Sequence, residues 1–167
     1  MRLTTIETER LRLHPLSVAD AADMVAVLAD ESLYEFTGGE PPDLDTLQRR
    51  YRSQVAGSGA DDEIWCNWII HTTVDAAAVG FVQADVNTTS TELAWVVGIA
   101  AQGTGIGTEA ATAVREWLAG EGVERFCAHI RPDHLASQLV AERIGLTRTG
   151  ELDDDGEEIW ASAAAPG

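Results

Sequence analysis

The chain of 167 residues carries 28 acidic and 11 basic residues, so its formal net charge is −17, and 45% of its residues are hydrophobic. This length and apolar content predict a single domain over residues 1–167 with a sizeable core. The charge argues against nucleic-acid binding, which needs a basic face, and no apolar run is long enough for a membrane span.

The N-terminal segment predicts a strand. Over residues 4–16, apolar Leu11 and Leu13 alternate with Arg10 and Arg12. This period of two is typical of a strand with one buried face.

Two helices are predicted next, on either side of the loop TGGEPPD at 37–43. Ser17 is suited to cap the first helix, which should reach about Ala29. Either Asp43 or Asp45 can cap the second helix. The apolar side of this second helix would carry Leu44, Leu47, Tyr51 and Val55.

A strand meander and a helical crossover follow. The runs 63–73, 77–86 and 92–99 are strand-like and separated by short turns, which predicts antiparallel strands. A helix over 105–119 then leads to a strand over 123–130. Because a helix joins strand 92–99 to strand 123–130, we expect these two strands to run parallel.

The chain closes with a helix over 134–145 and two strands, 146–152 and 157–161. The predicted order is therefore β-α-α-β-β-β-α-β-α-β-β. This is an α+β fold with a mixed, mostly antiparallel sheet. We expect its parallel pair to splay apart, with Gly98 as a candidate bulge position.

Nothing in the sequence indicates secretion. Residues 1–16 have neither the apolar core nor the cleavage pattern of a signal peptide. Cys66 and Cys127 fall in apolar strand-like runs, which favours buried reduced thiols over a disulfide. We therefore expect a cytoplasmic protein.

A glycine-rich loop joins the third strand of the meander to the next helix. In AAQGTGIGTEA, Gly103, Gly105 and Gly107 alternate, and such a loop leaves backbone N–H groups free to bind an anion. It is not a P-loop, because Thr104 stands where lysine is required and the chain contains no lysine. Gly105, Gly107 and Ala110 match a dinucleotide fingerprint. However, the preceding strand is not the opening one, and no acidic residue ends the next strand.

A third interpretation of the loop is Q-x-x-G-x-G, formed by Gln102, Gly105 and Gly107. In its strand–helix context the motif resembles the pyrophosphate loop of the GNAT superfamily of acyl-CoA-dependent N-acyltransferases. The later stretch RPDHLASQLVAERIGLTRTG is similar to a second motif of that superfamily. TERLRLHPL resembles the first strand of the branch that includes ribosomal-protein N-terminal acetyltransferases, so the resemblance spans almost the whole chain.

The resemblance implies acetyl-CoA as acyl donor, no metal, and direct attack of a primary amine on the thioester in a ternary complex. The amine would be a protein N-terminus or a small molecule. The pantetheine arm would pair with backbone near Val97 and Ile99, and a backbone N–H near Val97 would stabilise the oxyanion. The remaining cofactor-binding residues are Gln102, Gly103, Thr104, Gly105, Ile106, Gly107, Thr108 and Ser137.

Three residues are candidates for the proton transfers. Glu92, at the start of the strand that leads to the loop, is the first candidate to accept the proton of the amine. Ser137 matches the serine of the second motif and could stabilise or protonate the leaving thiolate. His134 stands where the superfamily usually has asparagine and is a secondary site residue. Lesser candidates for the proton acceptor are Asp85, His71 and His129.

The acceptor pocket should be built by the first two helices and their loop, including Tyr34 and Phe36, opposite the final strand pair. An acidic surface would attract a cationic amine, although solubility accounts for the charge without any ligand. A homodimer fits the resembling branch. The last helix lacks the tyrosine of many relatives, and Thr104 and His134 depart from their pattern. These departures leave open a catalytically inactive acyl-CoA-binding or interaction domain on the same fold.

Overall fold

The computed structural model describes residues 1–163 and contains a single sheet flanked by helices. The last four residues of the predicted domain 1–167 lie outside the described part. The strands are β1 (Ile6–Glu7), β2 (Leu11–Pro15), β3 (Glu63–Thr72), β4 (Ala78–Asn87), β5 (Thr91–Val97), β6 (Phe126–Ile130), β7 (Leu146–Leu152) and β8 (Glu158–Ser162). The α-helices are α1 (Ala21–Val27), α2 (Leu44–Ala56), α3 (Ile106–Gly120) and α4 (Leu135–Arg143).

The strand order in the sheet is β1-β2-β3-β4-β5-β6-β8-β7. Every neighbouring pair is antiparallel except β5 and β6, which the α3 crossover makes parallel. This arrangement confirms the predicted α+β class, its mixed and mostly antiparallel sheet, and its one parallel pair.

The N-terminal segment differs from the prediction, because residues 4–16 form a hairpin rather than one strand. The Thr8 hydroxyl accepts a hydrogen bond from the Leu11 N–H at 3.0 Å, and the Thr8 N–H donates to the Leu11 carbonyl at 2.9 Å. This side-chain bond turns the chain back on itself and separates β1 from β2. Beyond the turn the predicted alternation holds, since Leu11 and Leu13 are fully buried.

The two faces of the sheet are covered by different helices. On one face, Trp68 of β3 belongs to the same core cluster as Val114 and Leu118 of α3. On the other face, the neighbouring Ile69 packs with Met24 of α1 and with residues of α2. The change of face between adjacent residues follows from the strand period of two.

Helix α1 is shorter than the sequence predicts, and helix α2 is less buried. Helix α1 follows a short 3₁₀ turn and ends at Val27 rather than Ala29. In α2 only Leu47 and Tyr51 are buried. Leu44 and Val55, at the two ends of α2, are 41% and 56% exposed because contact with the sheet is confined to the middle of the helix.

Asp43 rather than Asp45 caps α2, which can be tested by mutation. The Asp43 carboxylate accepts a hydrogen bond from the Thr46 N–H at 2.7 Å, satisfying one of the free donors of the first turn. We expect Asp43→Ala to lower the melting temperature by roughly 2–4 °C in a thermal scan. The control Asp45→Ala removes an exposed acid from the same turn and should change it less. Equal losses in the two variants would show that the cap has no special role.

Strands β5 and β6 separate soon after they meet. Their pairing covers only Thr91 and Glu92, although β5 continues to Val97. The register between β4 and β5 is unbroken, so the predicted bulge at Gly98 is wrong. Gly98 lies just beyond β5, where its N–H donates to the Val79 carbonyl at 2.8 Å. The gap therefore opens because β6 diverges from a regular β5.

Neither Cys66 nor Cys127 is in a disulfide; Cys66 is buried as predicted, whereas Cys127 is only partly buried. Burial raises the pKa of the Cys127 thiol, and it raises that of Cys66 to about 11. None of the helices within residues 1–163 has the length and apolar content that crossing a membrane requires.

Candidate active site

The glycine-rich loop presents a row of free backbone donors at the start of α3. Gly103 and Gly105 have φ angles of 74° and 82°, the left-handed region that glycine adopts without a steric penalty. Within residues 1–163, none of the backbone N–H groups from Gly103 to Thr108 has a hydrogen-bond acceptor. Because the positive end of the α3 dipole lies at the same place, the loop is suited to bind an anion.

The side chains of two predicted loop residues hold the loop in place. The Gln102 amide donates a hydrogen bond to the Val97 carbonyl at 2.9 Å. The Thr104 hydroxyl donates to the Ala101 carbonyl at 2.7 Å. These bonds fasten the loop to the end of β5 and to its own preceding turn, so both side chains already have protein partners.

Arg10, which the sequence does not identify as a site residue, borders this loop. Its guanidinium donates to the Thr104 carbonyl at 2.9 Å and pairs with the Glu109 carboxylate at 2.6 Å. The Thr8 hydroxyl also donates to Glu109 at 2.6 Å. Burial alone would raise the pKa of Glu109, but the hydrogen bonds from Thr8 and Arg10 together hold that pKa below its usual value. The hairpin of β1 and β2 thereby holds both the loop and the first turn of α3.

The arginine contact can be tested against a matched neighbour. We expect Arg10→Ala to weaken acetyl-CoA binding about tenfold, measured by calorimetry, because the loop loses its bond to the Thr104 carbonyl. Arg12→Ala removes an arginine from the same strand whose ion pair with Glu7 is exposed, and binding should not change. Equal affinities in the two variants would contradict a role for Arg10 in holding the loop.

The pairing of β5 leaves polar backbone groups facing the gap. Gly98 bonds to Val79 across the antiparallel ladder, and hydrogen-bonding residues alternate along such a ladder. The N–H and carbonyl of Val97 therefore point away from β4, toward the side where β6 has diverged. The Gln102 amide donates to the Val97 carbonyl. Within residues 1–163 the Val97 N–H has no acceptor, so it can donate a hydrogen bond into the gap.

A cavity of about 390 Å³ lies beside this gap. The central strands β4, β5 and β6 form one wall, and the segment between α1 and α2 forms another. It brings together the predicted catalytic residues Glu92, His134 and Ser137 with Tyr34 and Phe36 of the predicted acceptor segment. The C-terminal strand pair contributes Glu157 just before β8.

His134 and Ser137 lie next to each other at the start of α4. The Ser137 hydroxyl is 3.3 Å from His134 Nε2, and the imidazole stacks on the Phe36 ring at 4.2 Å between centroids. Burial lowers the pKa of His134, although the charges of Asp133 and Glu35 oppose this effect. A neutral imidazole at physiological pH can accept the serine proton or donate to the serine oxygen, depending on its tautomer.

A second histidine faces the same cavity from β6. His129 Nδ1 lies 2.7 Å from the Asp153 carboxylate, and this hydrogen bond lowers the pKa of Asp153. An ionised carboxylate can only accept, so Nδ1 carries the proton and Nε2 is left as the basic nitrogen. Burial and the Asp153 charge raise the pKa of the adjacent Glu157. His129, a lesser candidate by sequence, therefore has the geometry of a proton acceptor.

The other two lesser candidates lie elsewhere. Asp85 accepts a hydrogen bond from Gln83 at 3.1 Å, and His71 packs against His14 near the opposite edge of the sheet. Neither lines the cavity. Ile99, predicted to contact the pantetheine arm, begins a short 3₁₀ turn just after β5 and is 43% exposed.

A family model described as an acetyltransferase (GNAT) domain matches residues 10–147, so the fold is that of an acetyltransferase. The chain therefore belongs to the GNAT acetyltransferase family. No curated protein sequence matches it.

Solved structures with the same fold have low sequence identity to this chain. An acetyltransferase of the GNAT family from Bacillus anthracis is 17% identical, with a TM-score of 0.78 and coverage of 95% of this chain and 96% of that one. The ribosomal L7/L12 α-N-protein acetyltransferase RimL, in complex with coenzyme A, is 15% identical, with a TM-score of 0.78 and coverages of 96% and 98%. AAC(6')-Ib, in complex with paromomycin and acetyl-CoA, is 18% identical, with a TM-score of 0.76 and coverages of 93% and 94%. The family model confirms the predicted superfamily, and these structures show that the chain has the same fold.

Proposed function

We propose that this protein is an N-acetyltransferase that moves the acetyl group of acetyl-CoA to a primary amine. One observation carries the proposal. The row of free N–H groups from Gly103 to Thr108 lies at the end of β5, where the free Val97 N–H faces the gap between β5 and β6. An anion-binding loop that continues into an open strand edge fits a donor with a pyrophosphate followed by a peptide-like arm.

The loop would hold the pyrophosphate through backbone dipoles. Free N–H groups at a helix start donate charge-assisted hydrogen bonds without a lysine. The arm would enter the gap as an extra strand, with the Val97 N–H donating to the thioester oxygen as negative charge develops there.

The acceptor amine would reach the thioester through the cavity. An amine with a pKa of about 10 arrives mostly as ammonium and must lose a proton before it can attack. Glu92 pairs with Cys127 in the last residue pair that joins β5 and β6, so its carboxylate lies where the gap begins. We assign it the acceptance of this proton, directly or through water. His129, held by Asp153, is the second candidate for this role.

The leaving thiolate would be protonated by a residue of α4, across the cavity from Glu92. Ser137 lines the cavity from α4, and its hydroxyl is backed by His134. We propose that the serine donates its proton to the sulfur and is reprotonated through the imidazole. The stacked Phe36 ring fixes the plane of that imidazole. The reaction needs no metal and no covalent enzyme intermediate.

The structures with the same fold suggest two classes of acceptor amine. RimL is named as a protein acetyltransferase and AAC(6')-Ib is bound to paromomycin, so a protein N-terminus and a small-molecule amine both fit. The single-domain organisation over 1–167, the cytoplasmic location and a homodimeric state remain proposals.

The test is an assay of coenzyme A release with a panel of peptides, small amines and aminoglycosides. We expect at least one amine to stimulate release above the rate of acetyl-CoA hydrolysis. The alternative, an inactive acyl-CoA-binding domain, predicts binding of acetyl-CoA with no stimulation by any amine. Mass spectrometry of the product identifies the acetylated atom and separates N-acetylation from transfer to oxygen.

A further inference from the structure

A second cluster of ligating side chains lies outside the cavity, on the face of the sheet that α1 and α2 cover. His14 of β2 opposes Ile69, and Arg12 opposes His71 of β3, so the two histidines are diagonal neighbours on one face. Their ring centroids are 4.5 Å apart. Asp20, in the 3₁₀ turn before α1, places a carboxylate oxygen 2.9 Å from His14 Nε2. One ligating atom from each of His14, Asp20 and His71 lies within 4.8 Å of the other two.

The free nitrogen of His71 is a buried acceptor without a donor. Its Nδ1 lies 3.2 Å from the Ala76 carbonyl, which can only accept, so Nδ1 carries the proton and Nε2 carries a lone pair. Nε2 is buried and has no hydrogen-bond partner within residues 1–163. A buried acceptor left unpaired is costly, and a bound cation would remove that cost.

Hydrogen bonds on the side away from the proposed ion orient the His71 imidazole and the Asp20 carboxylate. Ala76 has a φ of 56°, a conformation that alanine rarely adopts, and it is this residue that supplies the carbonyl to His71. Asp20 uses its other oxygen to accept from the Ser17 N–H at 2.7 Å, which leaves Oδ1 directed at His14. A backbone carbonyl behind a histidine and a hydrogen bond behind a carboxylate are the supports that metal ligands usually have.

We propose that His14, Asp20 and His71 form a binding site for Zn²⁺ or a similar divalent transition-metal ion. Two imidazoles and a carboxylate suit zinc, and three protein ligands leave a fourth position for water. Tetrahedral ligands about 2.1 Å from zinc are about 3.4 Å apart, so small side-chain rotations would close the cluster. The ion would displace the proton that lies between His14 Nε2 and Asp20, and that proton would be released to solvent. The His14 side chain is 31% exposed, which gives the ion a path from solvent.

The proposed ion would join β2, β3 and the turn that leads into α1. None of its ligands lines the cavity, so the site is independent of the proposed acetyl transfer. The cluster of His129, Asp153 and Glu157 also has metal-ligand composition. Its histidine and aspartate are bonded to each other, as His14 and Asp20 are, but none of its atoms is a buried acceptor without a donor. It serves as the internal control.

The experiment titrates the metal-free full-length protein with Zn²⁺ and follows the imidazole signals by NMR. The chain has four histidines, so each ring can be assigned. We expect one ion per chain, with the His14 and His71 signals shifting first and the melting temperature rising. His14→Gln and His71→Gln should each weaken binding by at least tenfold, because even the loss of an outer-shell partner of a ligand typically costs about 10- to 100-fold in metal affinity. His129→Gln should bind as tightly as the wild type.

Two results would overturn the proposal: no saturable Zn²⁺ binding by the wild type, or stoichiometric binding that persists in both glutamine variants. A first response at His129 or His134 would place the ion elsewhere and refute the assignment as well. Asp20→Asn keeps the shape of the side chain but removes its charge, and its affinity should also fall at least tenfold. Circular dichroism of each variant confirms that the loss of binding is not a loss of fold.

Discussion

Replacement of Glu92 by glutamine is expected to lower kcat by roughly 10²- to 10⁴-fold while leaving the affinity for acetyl-CoA unchanged. The amide keeps the size of the carboxylate but cannot take the proton from the ammonium, and general-base catalysis contributes a factor of this order. Donor affinity should persist because the loop that would hold the pyrophosphate lies at the other end of β5. Steady-state release of coenzyme A measures kcat, and calorimetry measures the affinity for the donor.

His129→Gln is the matched comparison for this variant. Both side chains face the cavity, and only one of them needs to be the principal proton acceptor. If His129 has that role, its variant shows the large loss and Glu92→Gln does not. Asp153→Asn should then reproduce part of the loss, because the imidazole would no longer be held in the same tautomer. Unchanged kcat in both the Glu92 and the His129 variant would refute proton acceptance by either residue.

Gly105→Val is expected to weaken acetyl-CoA binding by roughly 100-fold or more. Gly105 has a φ of 82°, where a branched side chain costs about 1–2 kcal/mol or more in the folded state. The new Cβ would also lie 3.4 Å from the Arg10 guanidinium that holds the loop. The loop would have to shift, and displacement of a binding group by about 1 Å is enough for a loss of this size. Calorimetric titration with acetyl-CoA measures the effect.

Gly122→Val separates backbone strain from damage to the loop. Gly122 has a φ of 94° at the far end of α3, and a Cβ there would meet nothing within 4 Å. The Gly122→Val variant should lose about as much stability as Gly105→Val and still bind acetyl-CoA. Thr104→Arg adds a cation to the loop and should keep or tighten binding. Loss of binding in Gly122→Val equal to that in Gly105→Val would show that strain, not the loop, explains the result.

The features that the sequence predicts correctly are encoded locally. The period of two in the strands, the period near 3.6 in the helix of residues 105–119 and the helical crossover are enough to predict the parallel pair β5 and β6. The loop follows from three glycines in that context. In each case the signal lies within about 20 residues, where backbone preferences and the burial pattern agree.

The contacts that complete the site join residues far apart in the chain. Arg10 reaches Glu109, and Phe36 stacks on His134. Neither contact leaves a periodic signal, because each depends on how the hairpin and the helices pack on the sheet. The sequence alone does not show that His129 pairs with Asp153, because Asp153 lies in the turn DDDG, where several acids are equivalent by sequence.

The N-terminal hairpin shows the same limit at short range. The alternation of apolar residues over 4–16 is present, but the hydroxyl of Thr8 bonds to the backbone and divides the strand. This division brings Arg10 to the loop at the start of α3. A departure from the predicted strand thus helps to hold the loop that we propose as the donor site.

We propose that the loop from Gly103 to Thr108 binds the pyrophosphate of acetyl-CoA, and the direct test is a calorimetric titration of the wild type with acetyl-CoA. We expect saturable binding of one molecule per chain. At a hundredfold excess over the dissociation constant, binding should stabilise the protein by about 2.7 kcal/mol and raise its melting temperature by roughly 5–10 °C. If millimolar acetyl-CoA gives neither a heat of binding nor a shift in melting temperature, the proposed role of the loop is contradicted.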